Sequence, residues 1–301
     1  MKKKYKKYNY KNDFLKNGVM VARGKINFLK CKKLYNSVFN TYKWGKNMFR
    51  SKNDFLKNPS FLKTNPGRYK YNLALKYDLS FIEKNKNLEK ILKEVVGPKY
   101  EIILKKFVVA VPERWVPTWL KKRIKKQLIP NLGNYLLPEF RECTYFRGID
   151  FHMDQIDHKN DSSRYITLYI YLNPVSKNMS PLNMIEKSYL NGAKKFPHNV
   201  KKYKKNHVKV YGRILKNRLL VGNAGDFFIW SGLNLHGTQP NLYENPRISL
   251  RYTIKQKRGL KNKTLLNQLY KNIKGNIGMK KIRDDINEKT FEQKKFNKVL
   301  R

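Results

Sequence analysis

YITLYIYL, residues 165–172, alternates strictly: Ile166, Leu168, Ile170 and Leu172 fall on one side, Tyr165, Thr167, Tyr169 and Tyr171 on the other. A period of two over eight residues predicts a strand. RISLRYTI (247–254) repeats the pattern, with Ile248, Leu250, Tyr252 and Ile254 opposite Arg247, Ser249, Arg251 and Thr253. Between them, Arg218 to Val221, the turn Gly222-Asn223-Ala224-Gly225 and Phe227 to Trp230 read as a hairpin. Upstream, EIILKKFVVAV (101–111) has the β-branched content of another strand. Short strands with turn signals and no helices between them, from about residue 140 onward, predict a sandwich or jelly roll rather than a parallel α/β sheet.

Toward the N-terminus the period changes. Phe14, Leu15, Val19 and Val21 around Gly18 predict a short helix followed by a strand or turn. Leu29, Leu34, Tyr35, Val38, Phe39 and Tyr42 recur at helical spacing over 29–43. The same spacing returns at Leu73 to Ile82 and at Leu88 to Val95, where Gly97-Pro98 is the stop signal. Residues 1–12 read as a basic Lys/Tyr/Asn tail, 191–217 as a long Lys-rich loop, and 256–301 as a basic, partly helical tail. The folded domain is expected over 13–255.

The chain has 301 residues, enough for one large domain or two, and 40% of them are hydrophobic. That excludes a wholly disordered chain despite a formal charge of +46. Only Cys31 and Cys143 are present, so neither a disulfide framework nor a cysteine-ligated zinc site can be built. With no apolar run long enough to span a membrane, the expectation is a cytoplasmic protein in a reducing compartment. The positive charge is spread along the whole chain, and Lys is abundant together with Asn, Tyr and Phe, all encoded by AT-rich codons. Base composition of the gene accounts for the charge without a partner. Nucleic-acid binding through the basic surface is the alternative, with no zinc-finger, RRM or phosphate-loop motif behind it.

Histidine is scarce. His152 and Asp154, two apart in FHMDQ (151–155), share one face if that segment is extended. His236 adds a second imidazole, and two His with one carboxylate form the facial triad of non-haem Fe(II) oxygenases, which leaves positions open for cosubstrate and dioxygen. Arg247, eleven residues beyond His236, offers a planar two-donor fork to a carboxylate. Arg251, on the same face, is the alternative anchor.

FHMDQ (151–155), YITLYIYLNP (165–174), SPLNMIEKSYLNG (180–192), GDFFIW (225–230) and LHGTQPNLYENPRISLRY (235–252) together resemble the phytanoyl-CoA dioxygenase family of Fe(II)/2-oxoglutarate oxygenases. FLKNGVMV (14–21) resembles that family's opening helix and strand. Where the family has a PGSH-like segment, this chain has Tyr189 at the place of the histidine. The resemblance implies a mainly β fold with α: a double-stranded β-helix, or jelly roll, with packed N-terminal helices, and a metal-binding core over 140–255. It also implies that His152, Asp154 and His236 hold Fe(II) and that Arg247 with Thr238 binds 2-oxoglutarate. The expected activity is hydroxylation of a small or lipid-like molecule by dioxygen; a catalytically inert family member is a further alternative. Lys194, Lys195, Lys201, Lys202, Lys204, Lys205 and Arg213 in the 191–217 loop would favour an anionic substrate.

Overall fold

The computed structural model describes residues 9–57, 72–125, 131–157, 164–257 and 264–278. The chain opens with α1 (Tyr10–Asn17), β1 (Val19–Ala22), α2 (Phe28–Asn40) and α3 (Lys52–Lys57), then α4 (Ser80–Glu83) and α5 (Lys86–Val96). β2 (Tyr100–Ala110), α6 (Thr118–Ile124), β3 (Thr144–Phe146) and β4 (Ile149–His152) follow. The remaining strands are β5 (Tyr165–Tyr171), β6 (Leu182–Ile185), β7 (Lys201–Lys204), β8 (His207–Val210), β9 (Arg213–Leu220), β10 (Phe227–Ser231), β11 (His236–Thr238) and β12 (Arg247–Gln256), and α7 (Leu265–Lys271) closes the described fold.

Helix ends follow local chemistry. Asn9, Asn27, Asn85 and Thr264 each accept a backbone N–H of the first turn of α1, α2, α5 and α7 through their side chains. Gly18 ends α1 in the left-handed region, at φ 75°, and donates back to Phe14. α5 buries Leu88, Ile91, Leu92, Val95 and Val96 along one stripe, as its spacing predicts.

Two six-stranded sheets form the jelly-roll core, in the orders β1-β10-β5-β12-β2-β3 and β4-β11-β6-β9-β8-β7. Every pair of neighbours is antiparallel except β2 with β3. Val108, Tyr169, Tyr171, Leu182, Met184, Phe228 and Trp230 fill part of the space between the sheets. The other faces of β5, β10 and β12, with Ile166, Leu168, Ile170, Ile229, Ile248 and Leu250, belong to the larger cluster shared with the helices. β5 is therefore buried on both sides. Its more apolar side meets the helices, and its tyrosine-rich side lines the barrel.

Three expectations change. The 218–230 segment is not a hairpin: β9 pairs with β6 and β8, whereas β10 pairs with β1 and β5. The intervening turn crosses from one sheet to the other and is held by Asp226, whose carboxylate accepts from Arg23, from the Gly24 N–H and from the Asn223 N–H at 2.7–2.9 Å. The 191–217 segment is a loop only up to residue 200; β7, β8 and β9 follow. Val208, Val210 and Leu215 bury one side of a β7-β8-β9 unit, while Lys201, Lys202, Lys204 and Lys205 are exposed to solvent rather than lining the barrel. At the termini, residues 10–12 already belong to α1, and α7 packs on α1 and α5. Gln256 ties the end of β12 to the Val96 carbonyl and the Thr264 hydroxyl. The rest of the two expected tails, 1–8, 258–263 and 279–301, lies outside the described residues. No helix among the described residues is long and apolar enough to cross a membrane.

Candidate functional site

β4 ends and β11 begins at one level of the barrel, where His152 and His236 are cross-strand partners with ring centroids 4.3 Å apart. Asp154 starts the short 3-10 turn after β4 and is buried beside them. One ligand atom from each of the three lies within 4.8 Å of the others. The spacing read from the sequence is thus realised in space.

Both imidazoles are fixed by backbone carbonyls. His152 Nδ1 lies 2.9 Å from the Asp150 oxygen and His236 Nδ1 lies 3.1 Å from the Asn234 oxygen. A carbonyl only accepts, so each Nδ1 carries a proton and each Nε2 is the nitrogen left for the centre of the trio. Burial pushes His236 down to about 3, outweighing the attraction of Asp154, so this ring is neutral at physiological pH. Asp154 is the opposite case. Burial alone would raise its carboxyl, but Arg251, His236, His152 and the Thr167 hydroxyl together hold it well below the usual carboxylate range. Thr167 Oγ1 (2.6 Å) and Trp230 Nε1 (3.1 Å) donate to Oδ2; Arg251 donates to Oδ1 at 2.7 Å. Oδ1 is also the oxygen 3.6 Å from His236 Nε2. Two imidazole nitrogens and one ionised oxygen converge, a donor set that fits a divalent first-row metal.

Asn234 does more than orient His236. Its side chain donates to the Asn17 carbonyl at 3.2 Å, and it lies directly against Gly18. A Cβ at Gly18 would overlap the Asn234 amide and the Tyr189 ring, and the left-handed backbone there disfavours any L residue. Gly18→Ala is expected to cost about 2 kcal/mol or more in chemical denaturation. Gly24→Ala, at φ 58° with open space around it, should cost only about 1 kcal/mol. Equal losses would contradict this packing.

Arg247 lies two turns of the pleat from Arg251 on the same side of β12, about 13 Å along the strand. It is only 1% exposed. Its guanidinium donates to the Ser180 carbonyl and sits 5.6 Å above the Tyr169 ring, while Nε has no partner. No carboxylate among the described residues makes an ion pair with it. A buried cation without a counter-charge is costly, and among the described residues only the Ser180 carbonyl and the Tyr169 ring face offset it. Arg251, by contrast, is already committed to Asp154. Thr238, half-buried opposite Leu182, lies on the side of His236 that leads toward Ser180 and Arg247.

The sequence reading misses Ser249, which shares the face of Arg247 and Arg251 and whose buried hydroxyl is unpartnered, as is that of Ser180. The period-two alternation of 247–254 already placed Ser249 there. It also misses Thr167, Trp230 and Asn234, whose roles are purely tertiary. Tyr145 packs against Trp44, and Arg147 is held by Glu113 through two bonds of 2.7 and 2.8 Å, so neither reaches the trio. His207 bonds the nearby Lys205 carbonyl; His158 lies outside the described residues.

Burial, with the nearby His152, also pushes His198 down to about 3. The unfolded chain binds protons at His198 and His236 below about pH 6.5, and the metal-free native state does not until near pH 3. Stability therefore falls as pH falls through that window, by up to roughly 1.4 kcal/mol per pH unit for each histidine. Denaturation at pH 7, 6 and 5 checks this, and a flat profile would count against the burial of these rings.

No family model matches the chain, and no curated protein matches it either. Among solved structures, the chain is similar to the non-heme alpha ketoglutarate dependent epimerase SnoN from nogalamycin biosynthesis, with a TM-score of 0.50 and 9% identity over 81% of this chain and 80% of that one. It is also similar to the apo form of the non-heme monooxygenase ThoJ, with a TM-score of 0.51 and 11% identity over 83% and 78%. At such identities the likeness is one of fold.

Proposed function

We propose that this chain is an Fe(II)- and 2-oxoglutarate-dependent oxygenase of the phytanoyl-CoA dioxygenase type that hydroxylates a small organic molecule. The observation that carries the reading is a pair of features at two levels of one barrel: a buried His-Asp-His trio, and farther in, a buried arginine without a counter-charge. His152, Asp154 and His236 would hold the metal; Arg247, with Ser249 and Thr238 near its path, would take the distal carboxylate of 2-oxoglutarate. The bound metal and cosubstrate would supply oxidation by dioxygen. The chain's own part is to hold both imidazoles by their Nδ1 atoms, keep Asp154 ionised, and fix the cosubstrate's orientation through the Arg247 fork. The fold neighbours, an alpha ketoglutarate dependent epimerase and a monooxygenase, are compatible with this chemistry.

Within this reading the intact carboxylate of Asp154 fills the position that a halide would need, so oxygen insertion is the expected outcome. Incubating the protein with Fe(II), 2-oxoglutarate and dioxygen should give succinate in strict dependence on iron, and no chlorinated product in the presence of chloride. Succinate formation that survives chelation of iron, or a chlorinated product, would overturn the assignment.

A further inference from the structure

Arg247 lies on one side of the trio along the barrel, and the β8-β9 turn lies at the far end of β9. Through β6, the register sets Thr238 level with Leu220 and His236 level with Arg218. Continuing from Thr238 through His236 leads along β9 toward its start at Arg213 and the turn at Tyr211-Gly212. The turn is therefore on the side of the trio away from Arg247, where a substrate would approach.

Tyr211 is an unusual residue for that turn. Both central positions have positive φ, 52° at Tyr211 and 72° at Gly212. Two-residue turns of this kind favour Asn, Asp or Gly first, and a bulky residue held there is strained. The Tyr211 side chain is spent on one contact, a 2.6 Å hydrogen bond between its hydroxyl and His198 Nδ1. His198 is 6% exposed, packs edge-on against Phe196 and Tyr211, and lies within electrostatic reach of His152. Its Nε2 is buried and has no partner. A phenol is a far better donor than acceptor, so Tyr211 donates to Nδ1 and the ring proton resides on Nε2. An N–H donor left unmatched in an aromatic setting is a hydrogen bond unmade, which an acceptor oxygen on a ligand would complete.

We propose that His198, positioned by Tyr211, is a substrate-binding residue whose Nε2–H donates to an uncharged acceptor oxygen, a carbonyl or hydroxyl, of the molecule oxidised at the trio. The inference rests on the oxygenase reading above and adds the recognition chemistry that reading leaves open. A neutral donor among aromatic rings favours a neutral oxygen-bearing substrate over the anionic one expected from the lysines of 191–217, which face solvent.

The test uses the Ni(II)- and 2-oxoglutarate-loaded protein and two probes of equal shape: acetophenone, with an acceptor oxygen, and ethylbenzene, without one. Paramagnetic relaxation of the probe protons reports approach to the metal. In the wild type acetophenone should relax at least five-fold more strongly than ethylbenzene. His198→Phe should abolish the difference and His198→Gln, which keeps an N–H donor, should retain part of it, with nickel and 2-oxoglutarate affinities within two-fold of wild type. Tyr211→Phe should weaken the preference and shift the His198 ¹⁵N signals away from a single Nε2–H tautomer, a change that lost packing alone would not produce. Equal relaxation by both probes, including none by either, or a preference unchanged in His198→Phe, overturns the proposal while leaving the oxygenase reading intact. Failure of the wild type to bind nickel and 2-oxoglutarate overturns both.

Discussion

His236→Ala is expected to lower Fe(II) affinity by more than about 100-fold and to abolish iron-dependent succinate formation. Losing a hydrogen-bond partner of a metal-binding histidine typically costs about 10–100-fold, and losing the ligand itself costs more. This variant is the most informative of the three. Replacing Asp154 would also leave the Arg251 guanidinium without its counter-charge, and breaking such a buried pair costs roughly 3–5 kcal/mol of stability. A loss of activity in Asp154→Ala would therefore mix unfolding with lost coordination. His236→Ala keeps the Asp154–Arg251 pair and removes a ring that is neutral at pH 7, so the fold should survive. Its circular dichroism should match wild type while metal binding is gone. Wild-type iron content in His236→Ala would remove this residue from the site.

For Arg247 the expected effects on function and stability have opposite signs. Arg247→Met should raise the 2-oxoglutarate dissociation constant by roughly 10- to 100-fold, the equivalent of losing charge-assisted hydrogen bonds worth about 1.5–3 kcal/mol. The cosubstrate-free protein should nonetheless be no less stable, because a buried charge with no carboxylate partner is replaced by an apolar side chain of similar length. Arg247→Lys keeps the charge but loses the planar fork, so it should raise the constant less than Met while leaving iron affinity near wild type. Titration calorimetry with 2-oxoglutarate and denaturation of the free protein measure the two effects. A larger rise in Arg251→Lys than in Arg247→Lys would move the anchor to Arg251.

What could be read from the sequence depended on whether a feature is local. His152 and Asp154 are two residues apart, and their shared face needs no tertiary information. Arg247 stands out because its strand alternates cleanly. The strand at 165–171 was equally clear, yet the reading could not say which side faces the barrel. The structure turns the apolar side toward the helices and the Tyr165, Thr167, Tyr169 and Tyr171 side inward, where Thr167 bonds Asp154 and Tyr169 lies under Arg247. The 218–230 error has the same origin: strand, glycine turn and strand look like a hairpin whether or not the two strands share a sheet. In 191–217 the lysines conceal a strand pattern, because only Val208, Val210 and Leu215 supply its buried side. The roles of Trp230 and Asn234 have no local signature, since each acts on a partner distant in sequence, Asp154 and Asn17.

The central claim is that one barrel holds a metal at its trio and a carboxylate at Arg247. A crystal structure of the protein with Ni(II) and 2-oxoglutarate tests it most directly. Nickel should be bound by His152 Nε2, Asp154 Oδ1 and His236 Nε2, with Arg251 displaced from Oδ1 and the distal carboxylate of 2-oxoglutarate on the Arg247 guanidinium. A metal bound elsewhere, or 2-oxoglutarate held with its distal carboxylate on Arg251 and Arg247 left unpaired, would contradict the account.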